Sequence, residues 1–416
     1  SITAGLCRAK IDLFPVEDLV IATDHRYQVL QGDVMAEEPV MYVGRDSIGL
    51  VKTAPRDDSE SHLDLCTGSG VQALVAARYA NRVVGVDLNP RALRFARFNA
   101  ALNGINNVTF HHGDLYQPVR GQRFQSITAN PPFVPSPTDT LAFRDGGSDG
   151  ETVLSRIVGD AHQHLEKGGR ISIVTDLVDP DVYADKLTGW WRGPGMCAQI
   201  LTTANRDEKL FSVPHAHAPF GQSFEDYRDE LSSWIRSYRT AGLKAVNFGY
   251  ILMKKSLQLD HSDFLQRVIE SPLQPIHEFV SELLDFQELR RSGSLAGLQV
   301  HTTPGLKIRF EQTPGCSNVE RTALVQESPW HTEYRIDLVM QSLLEDAATG
   351  ELNWDTIGER NLEPYAIALV EKGLLTVTGT ARQNKDLPIN VMGSATILID
   401  ELESKTTPTC LSNYLG

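Results

Sequence analysis

Short apolar runs alternate with longer amphipathic stretches between residues 63 and 253. The runs have the length of buried strands, and the stretches between them repeat apolar residues at helical spacing. This alternation predicts right-handed crossovers and an α/β fold with a parallel sheet covered on both faces. The predicted strands are Leu63–Cys66, Arg82–Asp87, Val108–His111, Phe124–Ala129, Arg170–Thr175, Ala198–Thr202 and Lys244–Met253. The predicted helices are Gly70–Tyr79, Pro90–Leu102, Glu151–Leu165, Asp181–Trp191 and Phe224–Tyr238.

The alternation stops near residue 256, and a chain of 416 residues is long enough for two or three domains. We therefore expect an N-terminal extension over residues 1–59, an α/β domain over 60–255 and a separate C-terminal α+β domain over 256–416. The last of these would contact the substrate or pair subunits in a homodimer. Its predicted elements are helices at Phe264–Leu284 and Ile336–Leu344, strands at Leu306–Glu311 and Glu320–Gln326, and a winged-helix-like helix, turn and strand from Tyr365 to Val377.

The composition narrows the class of protein. Hydrophobic residues make up 41% and charged residues 22% of the chain, as in globular proteins that act in water. No apolar run is long enough to span a membrane and no leader is recognisable, so a cytoplasmic protein without a membrane partner is expected. The five cysteines are scattered, which favours neither a disulfide framework nor a metal site. A formal net charge of -14 makes nucleic acid an unlikely partner.

The apolar run Ser126–Ala129 leads into the tetrad Asn130-Pro131-Pro132-Phe133. Two prolines prevent the run from continuing as helix or central strand, so Asn130 must lie where the strand ends. The Asn130 amide and the Pro131 carbonyl can accept hydrogen bonds from an amino group, and Phe133 offers a flat apolar face. Taken alone, the tetrad also fits a strand-end turn with a core phenylalanine.

A second signal precedes it, in the segment Asp64-Leu65-Cys66-Thr67-Gly68-Ser69-Gly70. Two glycines between a strand and a helix let the backbone approach a ligand closely, and the helix start offers unpaired N–H groups. The spacing Gly68-x-Gly70-x-x-Ala73 also fits the dinucleotide-binding fingerprint.

Acidic residues at the strand ends decide between these ligands. Asp87 ends the second strand, where a carboxylate can take both ribose hydroxyls. Asp114, in Gly113-Asp114-Leu115, follows the third strand and is placed to bind an adenine amino group. Asp64 would accept from the ammonium of an amino-acid tail, which a dinucleotide lacks. Together they describe a site for a nucleoside that carries an amino acid.

With Asn89-Pro90-Arg91-Ala92, these segments resemble the class I S-adenosylmethionine-dependent methyltransferases, over roughly residues 40 to 177. The branch with an Asn-Pro-Pro-Phe/Tyr motif is the most similar, and Arg144–Gly150 looks most like the release factor glutamine methyltransferases. The resemblance implies a Rossmann-like, seven-stranded sheet, S-adenosylmethionine as cofactor, S-adenosylhomocysteine as product, and Asn130, Pro131, Pro132 and Phe133 as catalytic residues. The cofactor-binding residues implied are Asp64, Cys66, Thr67, Gly68, Gly70, Asp87, Leu88, Asn89, Gly113, Asp114, Leu115 and Asn130.

The methyl acceptor is less constrained. Our main hypothesis is N-methylation of a small molecule or peptide. The alternatives are a protein glutamine side chain, an RNA or DNA amino group, and a binding protein that keeps only the cofactor fold. Candidate substrate residues are Phe133, Arg144, Asp145, His215 and His217. The two histidines have strand-like spacing, but no neighbouring carboxylate or cysteine completes a metal site, so no metal is expected.

Overall fold

The structure is a computed structural model. Its first elements along the chain are short strands. The residues it describes are 2–3, 6–7, 9, 11–25, 38–137, 142–203, 206–216, 223–256, 260, 262–269, 274–315, 317, 319–325 and 332–378. Strands β1 (Ile2–Thr3) and β2 (Leu6–Cys7) pair with each other, as do β3 (Ile11–Val16) and β4 (Leu19–Asp24). Helix α1 (Arg45–Thr53) follows and leads into the central sheet.

The central sheet has eight strands in the order β12-β10-β11-β9-β8-β5-β6-β7. They are β5 (Ser59–Leu65), β6 (Ala80–Asp87), β7 (Val108–His112), β8 (Phe124–Ala129), β9 (Leu165–Val178), β10 (Met196–Thr202), β11 (Val246–Lys255) and β12 (Asp263–Val268). All run in one direction except β11, which is antiparallel to both neighbours. The predicted α/β fold and its seven strands are therefore confirmed, and β12 adds an eighth at one edge.

Helices cover both faces of this sheet. Those between its strands are α2 (Val71–Ala76), α3 (Pro90–Leu102), α4 (Thr152–His164), α5 (Tyr183–Trp190), α6 (Glu208–His215) and α7 (Phe224–Thr240). Neighbouring residues of β11 point to opposite faces, as the pleat of a strand requires. Ile251 packs with Leu154 of α4 on one face, whereas Tyr250 packs with Leu50 of α1 on the other. Both faces are buried at this point, which explains why β11 is apolar at consecutive positions from Tyr250 to Met253.

The segment Phe264–Leu284 does not form the single helix predicted from its apolar pattern. It contains the edge strand β12 and the start of helix α8 (His277–Ser292). Pro272 and Pro275 lie between them, and a proline removes a backbone donor and blocks the preceding helical turn. Helix α8 packs on the sheet, where Val280 and Leu284 share an apolar cluster with Leu50 of α1 and Tyr250 of β11.

Beyond α8, the described residues build a second apolar core. Its strands are β13 (Gln299–Thr302), β14 (Leu306–Gln312), β15 (Val319–Val325), β16 (Thr332–Arg335) and β17 (Leu375–Thr378), and its helices are α9 (Leu338–Ala348), α10 (Trp354–Glu359) and α11 (Glu363–Glu371). Val300, Leu343 and Leu369 are fully buried in it. The helix, turn and strand expected from Tyr365 to Val377 are α11 and β17, which pairs with β13. Among the described residues, no helix is long and apolar enough to cross a membrane.

Candidate active site

Asp64 is buried beneath the loop between β5 and α2 and binds both the loop and the helix. Its side chain is 1% exposed and accepts hydrogen bonds from the Thr67 and Thr128 hydroxyls, at 2.5 and 2.8 Å, and from the backbone N–H of Ala73 at 3.2 Å. Burial raises the pKa of the Asp64 carboxyl to about 7, although these hydrogen bonds oppose the shift. Three donors already bind the Asp64 carboxylate, so an ammonium group could bind only to the lone pairs that remain unused.

Asp87 links the end of β6 to the same loop. Its two oxygens accept from the backbone N–H groups of Gly68 and Asn89, at 2.7 and 2.8 Å. Asn89 in turn caps α3 by accepting from Arg91 N at 2.8 Å, while the Leu88 side chain is 67% exposed. Burial raises the pKa of Asp87 as well. This carboxylate therefore fixes the glycine loop and remains half-buried at its edge.

Gly113, Asp114 and Leu115 follow β7 and lie beside this loop. The Gly113 N–H donates to the Asp87 carbonyl at 3.0 Å, and the Leu115 side chain is buried. Asp114 forms an ion pair with Arg156 of α4 at 2.6 Å, and both side chains are about half exposed. Asp114 is thus held by a surface cation at the position where an adenine amino group was expected.

These residues fit S-adenosylmethionine, which carries a sulfonium and an ammonium against one carboxylate. A cationic ligand beside these buried carboxylates would stabilise their ionised form, and groups with shifted pKa values cluster at functional sites. Gly68 has φ of +53°, and a Cβ added there would meet nothing within 4 Å, so open space lies over the loop. Cys66 lies in this loop with φ of 55°, and burial raises the pKa of its thiol. We refer to Asp64, Gly68, Asp87 and Asp114 as the glycine-loop side.

Asn130 lies at the end of β8 and contacts helix α1. Its Nδ2 donates to Asp46 Oδ2 at 2.7 Å and lies 3.4 Å from Ser47 Oγ. The N-cap of this helix is Gly44, so neither Asp46 nor Ser47 serves as its cap. Asp46 is 8% exposed, and burial raises the pKa of its carboxyl. Asp46 therefore faces Asn130 from the first turn of α1.

A glycine-rich segment braces the backbone after Asn130. The N–H of Val134 donates to the Arg144 carbonyl and the N–H of Gly146 donates to the Val134 carbonyl, both at 3.0 Å. Gly150 has φ of +74°, and a Cβ there would lie 2.4 Å from the Phe133 carbonyl oxygen. Only glycine allows this approach, so Arg144–Gly150 holds Phe133 and Val134 in place. We refer to Asp46, Asn130, Phe133 and Arg144 as the Asn130 side.

Aromatic residues of α6 and α7 extend this side. Arg144 lies over the Trp234 ring at 5.3 Å and donates to Asp145, which is almost fully buried. His215 stacks on the same ring at 5.3 Å. Its Nδ1 donates to the Phe211 carbonyl at 2.6 Å, and burial lowers the pKa of His215 to about 4. The structure therefore brings Arg144, Asp145 and His215 together around Trp234.

His215 is the last residue of helix α6, so the strand conformation predicted from its spacing to His217 is wrong for His215. Pro214 and Ala216 flank His215, and the segment has no apolar repeat that predicts a helix. His217 lies outside the described residues. Within the described ranges, no three His, Cys, Asp or Glu side chains form a group that could hold a metal ion.

Asp176 and Arg206 are a further pair that the sequence analysis missed. Asp176 is 2% exposed near the end of β9, and the Arg206 guanidinium donates to it. Burial raises the pKa of Asp176 to about 6 despite this arginine. Arg206 also lies over Phe211 at 5.6 Å, which joins the pair to the aromatic residues. Asp176 and Arg206 are 30 positions apart, so no local sequence pattern predicts that they form an ion pair.

Known proteins share the segment that carries this site. Residues 44–180 match the family described as methyltransferase small domain. A putative protein N5-glutamine methyltransferase of Methanocaldococcus jannaschii is 34% identical over 154 residues, which are 35% of this chain and 77% of that protein. A release factor glutamine methyltransferase of Thermodesulfovibrio yellowstonii is 36% identical, over 26% of this chain and 44% of that protein.

Two further proteins complete the comparison. A ribosomal protein uL3 glutamine methyltransferase of Bradyrhizobium diazoefficiens is 41% identical, over 26% of this chain and 39% of that protein. The chain thus spans less than half the length of these two bacterial relatives. Among solved structures, the T. thermophilus 16S rRNA N2 G1207 methyltransferase, in complex with AdoMet and guanosine, is 19% identical with a TM-score of 0.30, over 40% of this chain and 42% of that chain.

Proposed function

The chain belongs to the class I S-adenosylmethionine-dependent methyltransferases, in the branch of the release factor glutamine methyltransferases, and on this premise we propose that it methylates the side-chain amide nitrogen of a protein glutamine. The names of the relatives favour this acceptor over the small molecule that was our main hypothesis. A net charge of -14 disfavours the RNA and DNA alternatives.

The observation that carries the proposal is the orientation of Asn130. Its Nδ2 is engaged by Asp46, which leaves Oδ1 as the end that can accept from a ligand. A carboxamide nitrogen has two N–H groups, and Asn130 Oδ1 and the Pro131 carbonyl can accept one each. Phe133, which is held by Arg144–Gly150, would pack against the amide plane.

The bound cofactor supplies a methyl group on a sulfonium, which is an electrophile. The residues of the chain then have to place the acceptor nitrogen in line with that methyl group, and positioning of this kind supplies much of the rate. Hydrogen bonds from the acceptor N–H groups to Asn130 and Pro131 would increase lone-pair character on the nitrogen. The proton can leave to water after transfer, so we assign no general base.

We also propose that the part of the expected 256–416 segment that follows α8 contacts the protein substrate or pairs subunits. Support comes from the second apolar core around Val300, Leu343 and Leu369. Because β12 and α8 pack on the sheet, a chain that ends at Gly293 retains both. This shortened chain should bind S-adenosylmethionine normally but lose affinity for the acceptor or change its mass in light scattering. Full activity at the native mass would contradict the proposal.

The acceptor class can be tested by transfer of a radiolabelled methyl group from S-adenosylmethionine. Purified release factor and ribosomal protein uL3 of the same organism are compared with transfer RNA, ribosomal RNA and DNA, and Asn130→Ala serves as the inactive control. Label on either protein, absent with Asn130→Ala, is the expected result. Label on nucleic acid alone would contradict the proposal.

A further inference from the structure

The Asn130 side chain has two ends of nearly the same shape and opposite chemistry. Oδ1 accepts hydrogen bonds, whereas Nδ2 only donates them. If Nδ2 faced the acceptor nitrogen, it would donate to the lone pair that has to attack the methyl group. A methyltransferase of this kind therefore needs a neighbour that keeps the amide from turning over.

Asp46 meets this requirement. An ionised carboxylate only accepts hydrogen bonds, so it can face the Nδ2 end of Asn130 and cannot face Oδ1. The Nδ2 to Oδ2 distance is 2.7 Å, and Asp46 is 8% exposed, so little water competes for the contact. The two residues are 84 positions apart, and their contact joins α1 to the end of β8.

The Asp46 carboxylate is itself fixed by the start of α1. The backbone N–H groups of Asp46 and Ser47 and the Ser47 hydroxyl lie close enough to the carboxylate to favour its ionised form and lower its pKa, against the effect of burial. On the other side, a Cβ added to Gly44 would lie 2.3 Å from Asp46 Oδ1. The carboxylate thus lies directly over the Gly44 Cα, and a larger residue at position 44 would displace it.

We propose that Asp46 is a positioning residue that keeps the Asn130 amide oxygen directed at the methyl acceptor. The proposal rests on the proposed function in one respect, because it requires an acceptor nitrogen that carries an N–H group. Asp46 does not contact the acceptor, and its effect on the reaction passes through Asn130.

Asp46→Asn tests this with almost no change in shape. The backbone N–H groups at the start of α1 cannot turn, so the new amide would direct its oxygen at them and its NH2 group at Asn130. Asn130 would then turn over and present Nδ2 to the acceptor. We expect kcat on purified release factor or ribosomal protein uL3 to fall about 10- to 100-fold, with the acceptor KM and the S-adenosylmethionine Kd within about two-fold.

Two further variants make the result specific. Arg45→Gln removes a charge from an exposed position on the same turn of α1 and should leave kcat unchanged. Gly44→Ala should displace the Asp46 carboxylate and lower kcat in the same direction as Asp46→Asn, without altering either residue of the pair. It keeps the test available if Asp46→Asn does not fold, which circular dichroism would show.

A measurement without any acceptor separates this inference from the proposed function. The side-chain NH2 group of Asn130 gives its own signals in a ¹⁵N correlation spectrum of the full chain, and these should shift in Asp46→Asn and in Gly44→Ala but not in Arg45→Gln. If the wild-type chain methylates neither protein, the proposed function fails and the spectra still decide the role of Asp46. Unchanged Asn130 signals in Asp46→Asn, or a wild-type kcat in that variant, would overturn the inference.

Discussion

The glycine-loop side and the Asn130 side both lie at the carboxyl ends of the strands of one sheet, but different parts of the chain form them. On the glycine-loop side, the contacts that shape the loop are close in sequence: Gly68 and Asp87 are 19 positions apart, and Asp87 and Asn89 are two apart, although Asp64 also accepts from Thr128, 64 positions away. On the Asn130 side, Asn130 and Asp46 are 84 apart. The glycine loop itself belongs to a local strand–loop–helix unit, whereas the contact of Asn130 with Asp46 exists only after distant elements have packed.

The difference also separates two tasks. The glycine-loop side holds carboxylates and open space over a loop, which suits binding of a cationic cofactor. The Asn130 side holds an oriented amide beside aromatic residues, which suits placement of an acceptor. Changes on the first side should therefore act on the cofactor Kd, and changes on the second should act on turnover.

The largest effect is expected for Asn130→Ala. Loss of the amide oxygen removes the contact that places the acceptor nitrogen, so kcat should fall by about 10²-fold or more while the S-adenosylmethionine Kd changes by only a few-fold. Steady-state kinetics together with calorimetry check both numbers. A variant with near-normal turnover would point to an oxygen or carbon acceptor held elsewhere.

Asp87→Ala should have the opposite profile. The variant would lose the proposed bidentate, charge-assisted contact to the ribose, together with the hydrogen bond that fixes Gly68. Binding of S-adenosylmethionine should weaken by about 2 kcal/mol, which corresponds to roughly 30-fold in Kd. Calorimetry that finds an unchanged Kd would refute the assignment, and preferential binding of NAD would revive the dinucleotide alternative.

The pH dependence of cofactor binding is expected to be smaller. Burial holds the pKa of Asp64 at about 7 in the free protein. A nearby ligand cation favours the ionised form, so binding should lower this pKa and release a proton. Affinity should therefore rise with pH below about pH 7, by at most about ten-fold per pH unit, and level off above it. Calorimetry of the wild type and of Asp64→Asn checks this, since the variant should lose the slope.

The smallest effect is expected for Arg156→Ala. Asp114 and Arg156 are both about half exposed, and such surface pairs contribute about 0–1 kcal/mol. Removal of Arg156 frees Asp114 for an adenine amino group, so S-adenosylmethionine binding should tighten by a few-fold at most, with kcat unchanged. A large loss of affinity in a fluorescence titration would show that Arg156 itself contacts the cofactor.

The same contrast explains what the sequence could predict. Strand ends, glycine spacing and the prolines after Asn130 are local features, and they predicted the sheet and the residues gathered at its edge. For an acidic residue at a helix start, such as Asp46, the local role is capping, so its position alone does not indicate a contact with Asn130. Its contact with Asn130, the pairing of Asp176 with Arg206, and the edge strand β12 depend on tertiary packing, which spacing along the chain does not encode.

The most direct test of the central claim is to locate the transferred methyl group. The acceptor protein is treated with the full chain and S-adenosylmethionine that carries a ¹³C-methyl group, then digested and fragmented by tandem mass spectrometry. The account predicts a single labelled methyl on the side-chain amide nitrogen of a glutamine, absent with Asn130→Ala. A methyl group on an oxygen or carbon atom, or on another type of side chain, would contradict it.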